Sequence, residues 1–169
     1  CFGVEKPADG RRDRFLNAEE YARLGGILEQ AISHGINPIA IDAVKLLALT
    51  GCRKSEVLNL RIAEVDFTGH CLRFEDTKTG AQMRPCGEAA LDHLKTAIQY
   101  AANDWVFPAS SKAGHLVDLA KPVLKIRELA NLPDLTLHVL RHSFATVAHE
   151  IGYSELTIAG LLGHAQGSV

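Results

Sequence analysis

Apolar positions recur with a helical period along much of the chain, and the strongest pattern lies in Leu137 to His164, reading LHVLRHSFATVAHEIGYSELTIAGLLGH. Leu140, Phe144, Val147, Ala148 and Ile151 fall at i, i+4, i+7, i+8 and i+11, which predicts an amphipathic helix with one buried stripe, ended by Gly152. Ser154 is placed to cap a second helix running to Leu162. Gly163 stands where a left-handed C-cap belongs, with His164 directly after it. Leu156, Ile158, Ala159, Leu161 and Leu162 make this second segment apolar on nearly every side, the pattern of a core helix.

Upstream, Asn17 and Glu20 form a capping-box start, and Leu16 is spaced to staple onto Tyr21. Leu24, Leu28, Ala31 and Ile32 then continue an apolar face to Gly35. Asn37 and Pro38 open a helix from Ile39 to Thr50, apolar on nearly all sides and therefore central, which stops at Gly51. From Cys52 to Leu60 a short helix carries Val57, Leu58 and Leu60 inward. The period then shortens. Val65 to Phe67, Cys71 to Phe74 (Leu72 and Phe74 on one face) and Ala81 to Pro85 read as strands, separated by Thr68-Gly69 and Lys78-Thr79-Gly80 turns. They predict a small three-stranded antiparallel sheet with Lys78 at a hairpin tip. Helix returns from Gly87 to Tyr100 through Leu91, Leu94 and Ile98, and Trp105 to Phe107 is a short buried extended piece. The last connecting helix is placed from Pro122 to Ala130. The fold class is mixed, predominantly α with a small antiparallel sheet. Residues 1–14, with Pro7, Gly10 and a run of charges, read as a linker from a domain upstream, and 15–169 as one domain.

Composition narrows the function. With 47% apolar residues in 169, the chain can bury a proper core, and disorder is excluded. No apolar run reaches bilayer length and no signal peptide opens the chain, so a soluble, cytoplasmic protein is expected. Cys1, Cys52, Cys71 and Cys86 form no C-x-x-C pair, which reads as reduced thiols without disulfide or structural zinc. A net charge of -2 weighs against a nucleic-acid partner. Distribution weighs the other way, because Arg11, Arg12 and Arg14 cluster near the start and Arg53, Lys54 and Arg61 in the middle.

The candidate chemistry gathers on two segments. Arg141 falls at the margin of the apolar stripe, with His138 about 60° further round, one turn earlier, so both can face one object. No carboxylate lies at helical spacing from Arg141 on that side, and an external anion is the natural partner for a half-buried guanidinium. Arg53 opens the short helix at Cys52 to Leu60, where a guanidinium and free backbone N–H groups together suit a phosphate oxygen. Glu56, one turn on, can pair with Arg53 or Lys54. His138 and His142 with His164 invite a metal-hydrolase reading, but Val139 stands where a zinc peptidase has its glutamate, and Arg141 would set a fixed charge beside the cation. A helix-turn-helix DNA-binding module is the other alternative. Against it, the segment after Gly152 offers almost nothing to grip phosphates or read bases.

TGCRKSEVLNLR, the DTKTG hairpin, LHVLRHSFAT and LLGH, in that order, together with RRDRFLNAEEYARL near the start, resemble the motif set of the tyrosine recombinase or phage integrase family. The resemblance spans Arg14 to His164. It implies the family's catalytic-domain fold and the cleavage and rejoining of DNA strands through a tyrosine joined to the 3′ phosphate. By position it makes Arg53 and Arg141 the phosphate-clamping arginines, Lys78 the hairpin lysine and general acid, and His138 and His164 the active-site histidines. Glu56 and His142 become supports behind them. It further implies double-stranded DNA as partner, self-assembly into a tetramer on DNA, no metal or other cofactor, a bacterial or phage origin, and an upstream DNA-binding domain. The family's nucleophilic tyrosine lies further beyond the LGH histidine than Val169 does, and Tyr21, Tyr100 and Tyr153 do not match its position. The expectation is therefore a catalytic domain that stops before its nucleophile.

Overall fold

The computed structural model describes residues 14–75 and 80–163. Among these residues seven α-helices and one sheet follow in order: α1 (Ala18–Gln30), α2 (Pro38–Thr50), α3 (Lys54–Leu58), β1 (Val65–Asp66), β2 (Cys71–Phe74), β3 (Gln82–Pro85), α4 (Glu88–Gln99), α5 (Ala120–Leu129), α6 (Leu137–Glu150) and α7 (Glu155–Leu162). α2 is the axis of the molecule. Ala40, Ile41, Ala43, Val44, Leu46 and Leu47 are all buried along it, and α3, α4, α5 and α6 pack around it. Its ends follow local rules: the Asn37 side chain accepts from the Ile39 N–H at 2.9 Å, Pro38 takes the first turn, and Gly51 stops it at φ +62°. The sheet runs β1-β2-β3, antiparallel throughout. Leu72 pairs across with Arg84 in β3, so this arginine shares the inward face with a core leucine.

At the start of α1 the capping box is complete, with Glu20 N–H to Asn17 at 2.9 Å and Asn17 N–H to Glu20 at 3.0 Å. Arg14 forks onto the same carboxylate at 2.6 and 2.9 Å and ties the chain to α1 before the helix begins. The hydrogen bond from Arg14, then that from the Asn17 backbone, pulls Glu20 from its ordinary 4.5 down to about 2. The folded value lies below the unfolded one. The pair's stabilisation, about 1 kcal/mol or less for a partly exposed pair, is thus complete above about pH 4.5 and fades as pH falls through about 2. Glu20→Gln should flatten the acid limb of the stability curve followed by circular dichroism. Equal slopes for both proteins over that window would mean that the pair contributes nothing.

Expectations about burial and about one helix boundary are corrected. Ile32 is 61% exposed because α1 ends at Gln30 and a turn carries the chain off the core to Gly35. α5 begins at Ala120, two residues before Pro122, since a proline fits the first turn of a helix and Asp118 accepts from the Ala120 N–H at 3.1 Å. The buried face of α6 is Val139, Leu140, Ser143 and Ala148, while Val147 and Ile151 are exposed. The helix is rotated toward Ser143, whose hydroxyl donates to the Val139 carbonyl and accepts from the Leu16 N–H, both at 2.7 Å. A satisfied serine can occupy a core position.

α7 is not a core helix. Leu162 is buried, but Leu156 is 68% exposed, and α7 packs chiefly against α6 and β3. Its apolar character reflects surface left open around the α6–α7 turn, where Ile151 and Tyr153 are also exposed. Its caps are as expected: Ser154 accepts from the Thr157 N–H at 3.1 Å, and Gly163 is left-handed at φ +65°. Among the described residues no helix is long and apolar enough to cross a membrane.

Candidate active site

Arg53 stands at the N-cap of α3, immediately beyond the end of α2. The Glu56 carboxylate reaches back to its backbone N–H at 2.7 Å and its Nη1 at 2.9 Å. The helix-start amide expected to meet a phosphate oxygen is thus already taken by Glu56. What remains open to solvent is the Arg53 side chain, 43% exposed against 6% for that of Glu56. Lys54 instead points to Asp118 at 3.5 Å as a surface ion pair.

Arg141 does have protein partners, contrary to the expectation of an external anion alone. Its Nη1 donates to the Gly51 carbonyl at 2.6 Å and its Nη2 to the Leu162 carbonyl at 2.8 Å. These oxygens mark the C-terminal ends of α2 and α7. Two negative helix ends therefore converge on one cation and fix its plane. A carbonyl partner leaves no trace at helical spacing, so the i±3 and i±4 search for a carboxylate could not find it. Burial first, and the neighbouring Arg53 cation second, push Arg141 below the ordinary arginine value, with Glu56 opposing. It stays charged.

A third arginine, absent from the expected site residues, belongs here. Arg84 is 1% exposed and its Nη1 donates to the same Leu162 carbonyl at 2.7 Å. Its Nη2 donates to Glu56 at 2.8 Å and to the Gln82 side chain. The Phe74 ring lies 5.7 Å from its Cζ. The signal available in sequence was the antiparallel register, which sets Arg84 opposite Leu72.

His138 and His142 meet one turn apart, Nε2 to Nε2 at 2.7 Å, with ring centroids 4.2 Å apart in an edge-to-face arrangement. Two N–H groups cannot face each other at that distance, so at most one ring carries a proton on Nε2 while the contact holds. Two histidine nitrogens on one zinc would sit about 3.3 Å apart. Among the described residues no three His, Cys, Asp or Glu side chains are placed to hold a metal. Lys78 and His164 lie outside the described residues. Of the tyrosines, Tyr21 is partly buried in α1 with Ser143 as a hydrogen-bond partner, Tyr100 is 81% exposed at the end of α4, and Tyr153 lines a groove with Leu49, Phe144 and Leu161.

The sequence model of the phage integrase family matches residues 14–169. The chain belongs to that family. Among phage integrase relatives, the prophage integrase IntF of Escherichia coli (strain K12) is 32% identical, over 76% of this chain and 28% of the relative. The tyrosine recombinase XerD of Rhizobium meliloti (strain 1021) is 28% identical, over 88% of this chain and 52% of the relative. This family member thus spans about half or less of the length of those two relatives. The crystal structure of XerA recombinase superposes with a TM-score of 0.71 at 26% identity, covering 98% of this chain and 59% of that one. A post-cleavage complex of XerH recombinase with a palindromic difH substrate gives 0.73 at 24% identity, over 97% and 50%, a likeness of fold. The fold is that of a tyrosine recombinase catalytic domain.

Proposed function

We propose that the chain is the catalytic domain of a tyrosine-type site-specific DNA recombinase or integrase, acting on double-stranded DNA. The observation that carries this reading is the convergence of Arg53 and Arg141 at the C-terminal end of α2: one stands two residues after the Gly51 cap and the other is bonded to its carbonyl. Both guanidiniums would neutralise the non-bridging oxygens of a phosphodiester as its phosphorus becomes five-coordinate. A tyrosine hydroxyl attacks the phosphorus, the bond to the 5′ oxygen breaks, and a 3′-phosphotyrosine forms. His138 takes the tyrosine proton, Lys78 gives a proton to the departing 5′ oxygen, and His164 hydrogen-bonds the phosphate. The new ester keeps the energy of the old one, so rejoining runs by the reverse steps without ATP. The nucleophilic tyrosine is assigned beyond residue 169, residues 1–14 to a linker from a further DNA-binding domain, and the assembly on DNA to a tetramer.

A helix-turn-helix reading has to use α7, whose exposed Leu156 offers no donor to bases or phosphates. The decisive experiment is a nicked suicide duplex that traps the covalent intermediate on a denaturing gel. The protein in its full encoded length should form an adduct, and the chain ending at Val169 should form none. If the shorter chain traps DNA and Tyr153→Phe abolishes it, the nucleophile is Tyr153; if neither chain traps DNA, strand cleavage by this domain is disproved.

A further inference from the structure

The contacts around the site close into a ring. Arg53 is held by Glu56, Glu56 by Arg84, Arg84 shares the Leu162 carbonyl with Arg141, and Arg141 returns to Gly51, two residues before Arg53. Arg84 joins the Glu56 half to the Leu162 half. It also divides the charge of Glu56. Without Arg84, that buried carboxylate would act undivided on Arg53 and Arg141 and cancel much of the field a phosphate would meet.

The surroundings are shaped for this guanidinium. A methyl group on Gly163 would stand 1.8 Å from the Arg84 Cζ, so the glycine after α7 leaves room for the arginine as well as adopting a left-handed turn. Arg84 Nε finds no acceptor among the described residues. A buried arginine with an unsatisfied nitrogen costs stability, which marks a position kept for something other than stability.

We propose that Arg84 is a positioning residue for strand cleavage, locking Arg53 and Arg141 into one phosphate clamp through Glu56 and the Leu162 carbonyl; this rests on the recombinase reading above. Arg84 touches neither phosphate nor nucleophile and acts through the two groups it bridges. A clamp arginine displaced by about 1 Å can lose a hundredfold in rate while the DNA stays bound, because most contacts to DNA lie elsewhere.

The test uses the full-length protein and nicked duplexes of randomised sequence, from which covalent adducts are selected with the wild type. On the selected duplex, single-turnover cleavage, DNA affinity and melting temperature are measured for Arg84→Met, Arg84→Lys, Gly163→Ala and the Arg84→Met/Gly163→Ala double variant. Arg84→Met should cleave about a hundredfold more slowly with affinity within about threefold, and Arg84→Lys, which can still bridge carbonyl and carboxylate, should recover about tenfold of that loss. The double variant should be no slower than Gly163→Ala alone. If Arg84→Met does not fold, the lysine and glycine variants carry the same comparison. Wild-type rates in folded Arg84→Met, or losses of rate that follow melting temperature and affinity with no gain from lysine, overturn the positioning role alone. No adduct with the wild type on any duplex overturns the recombinase reading, and this inference falls with it.

Discussion

Arg141→Ala in the full-length protein should lower single-turnover DNA cleavage by about a thousandfold, roughly 4 kcal/mol of transition-state stabilisation. Removing one pre-aimed donor from an acyl or phosphoryl site typically costs two to three orders of magnitude, and here a full charge goes with it. Arg141→Lys should recover little. The native guanidinium spans two carbonyls, Gly51 and Leu162, in a fixed plane, and an ammonium on a flexible stem cannot hold that fork while also meeting a phosphate. DNA affinity should change only a few-fold, since one contact among many is lost. Cleavage by Arg141→Ala within about tenfold of wild type would mean that Arg141 is a structural strut between α2 and α7 and no part of the clamp.

Gly51→Ala should be the most destabilising of the glycine substitutions at helix ends away from Arg84. At φ +62° an alanine costs about 1–2 kcal/mol. Its methyl would also stand 2.7 Å from Phe144 Cδ1 and 2.9 Å from Leu162 Cδ2, and overpacking of that kind adds about 1–3 kcal/mol. Together these lower the melting temperature by about 5–15 °C for a domain of this size. Gly152→Ala is the matched control, because its φ is +94° with nothing within 4 Å of the added methyl, so it bears the backbone cost alone. Equal melting temperatures for the two variants would show that Phe144 and Leu162 yield freely, and that the end of α2 is not clamped by α6 and α7.

The sequence by itself determined what short-range physics decides. The Asn17–Glu20 box, Pro38 at the start of α2, the glycine stops at Gly51 and Gly163 and the Ser154 cap each depend on a few neighbouring residues, and each is found where the pattern placed it. Motif spacing likewise picked out Arg53, Glu56, Arg141, His138 and His142, and the structure sets Arg53 against Glu56, His138 against His142, and Arg141 within the field of Arg53 and Glu56. Tertiary structure alone decided the rest. That Arg141 is held by the carbonyls of two helix ends follows from how α2, α6 and α7 pack, and backbone oxygens are present at every position, so no residue type announces them. Hydropathy states what a segment could bury and not what arrives to cover it. It marked α7 as interior, whereas Leu156 lies open; and in β3 the apolar Met83 is 62% exposed while the neighbouring Arg84 is 1% exposed. A charge can be sealed in a core when a carboxylate and a carbonyl from distant parts of the chain meet it there, and for Arg84 both come from helices, Glu56 in α3 and Leu162 in α7.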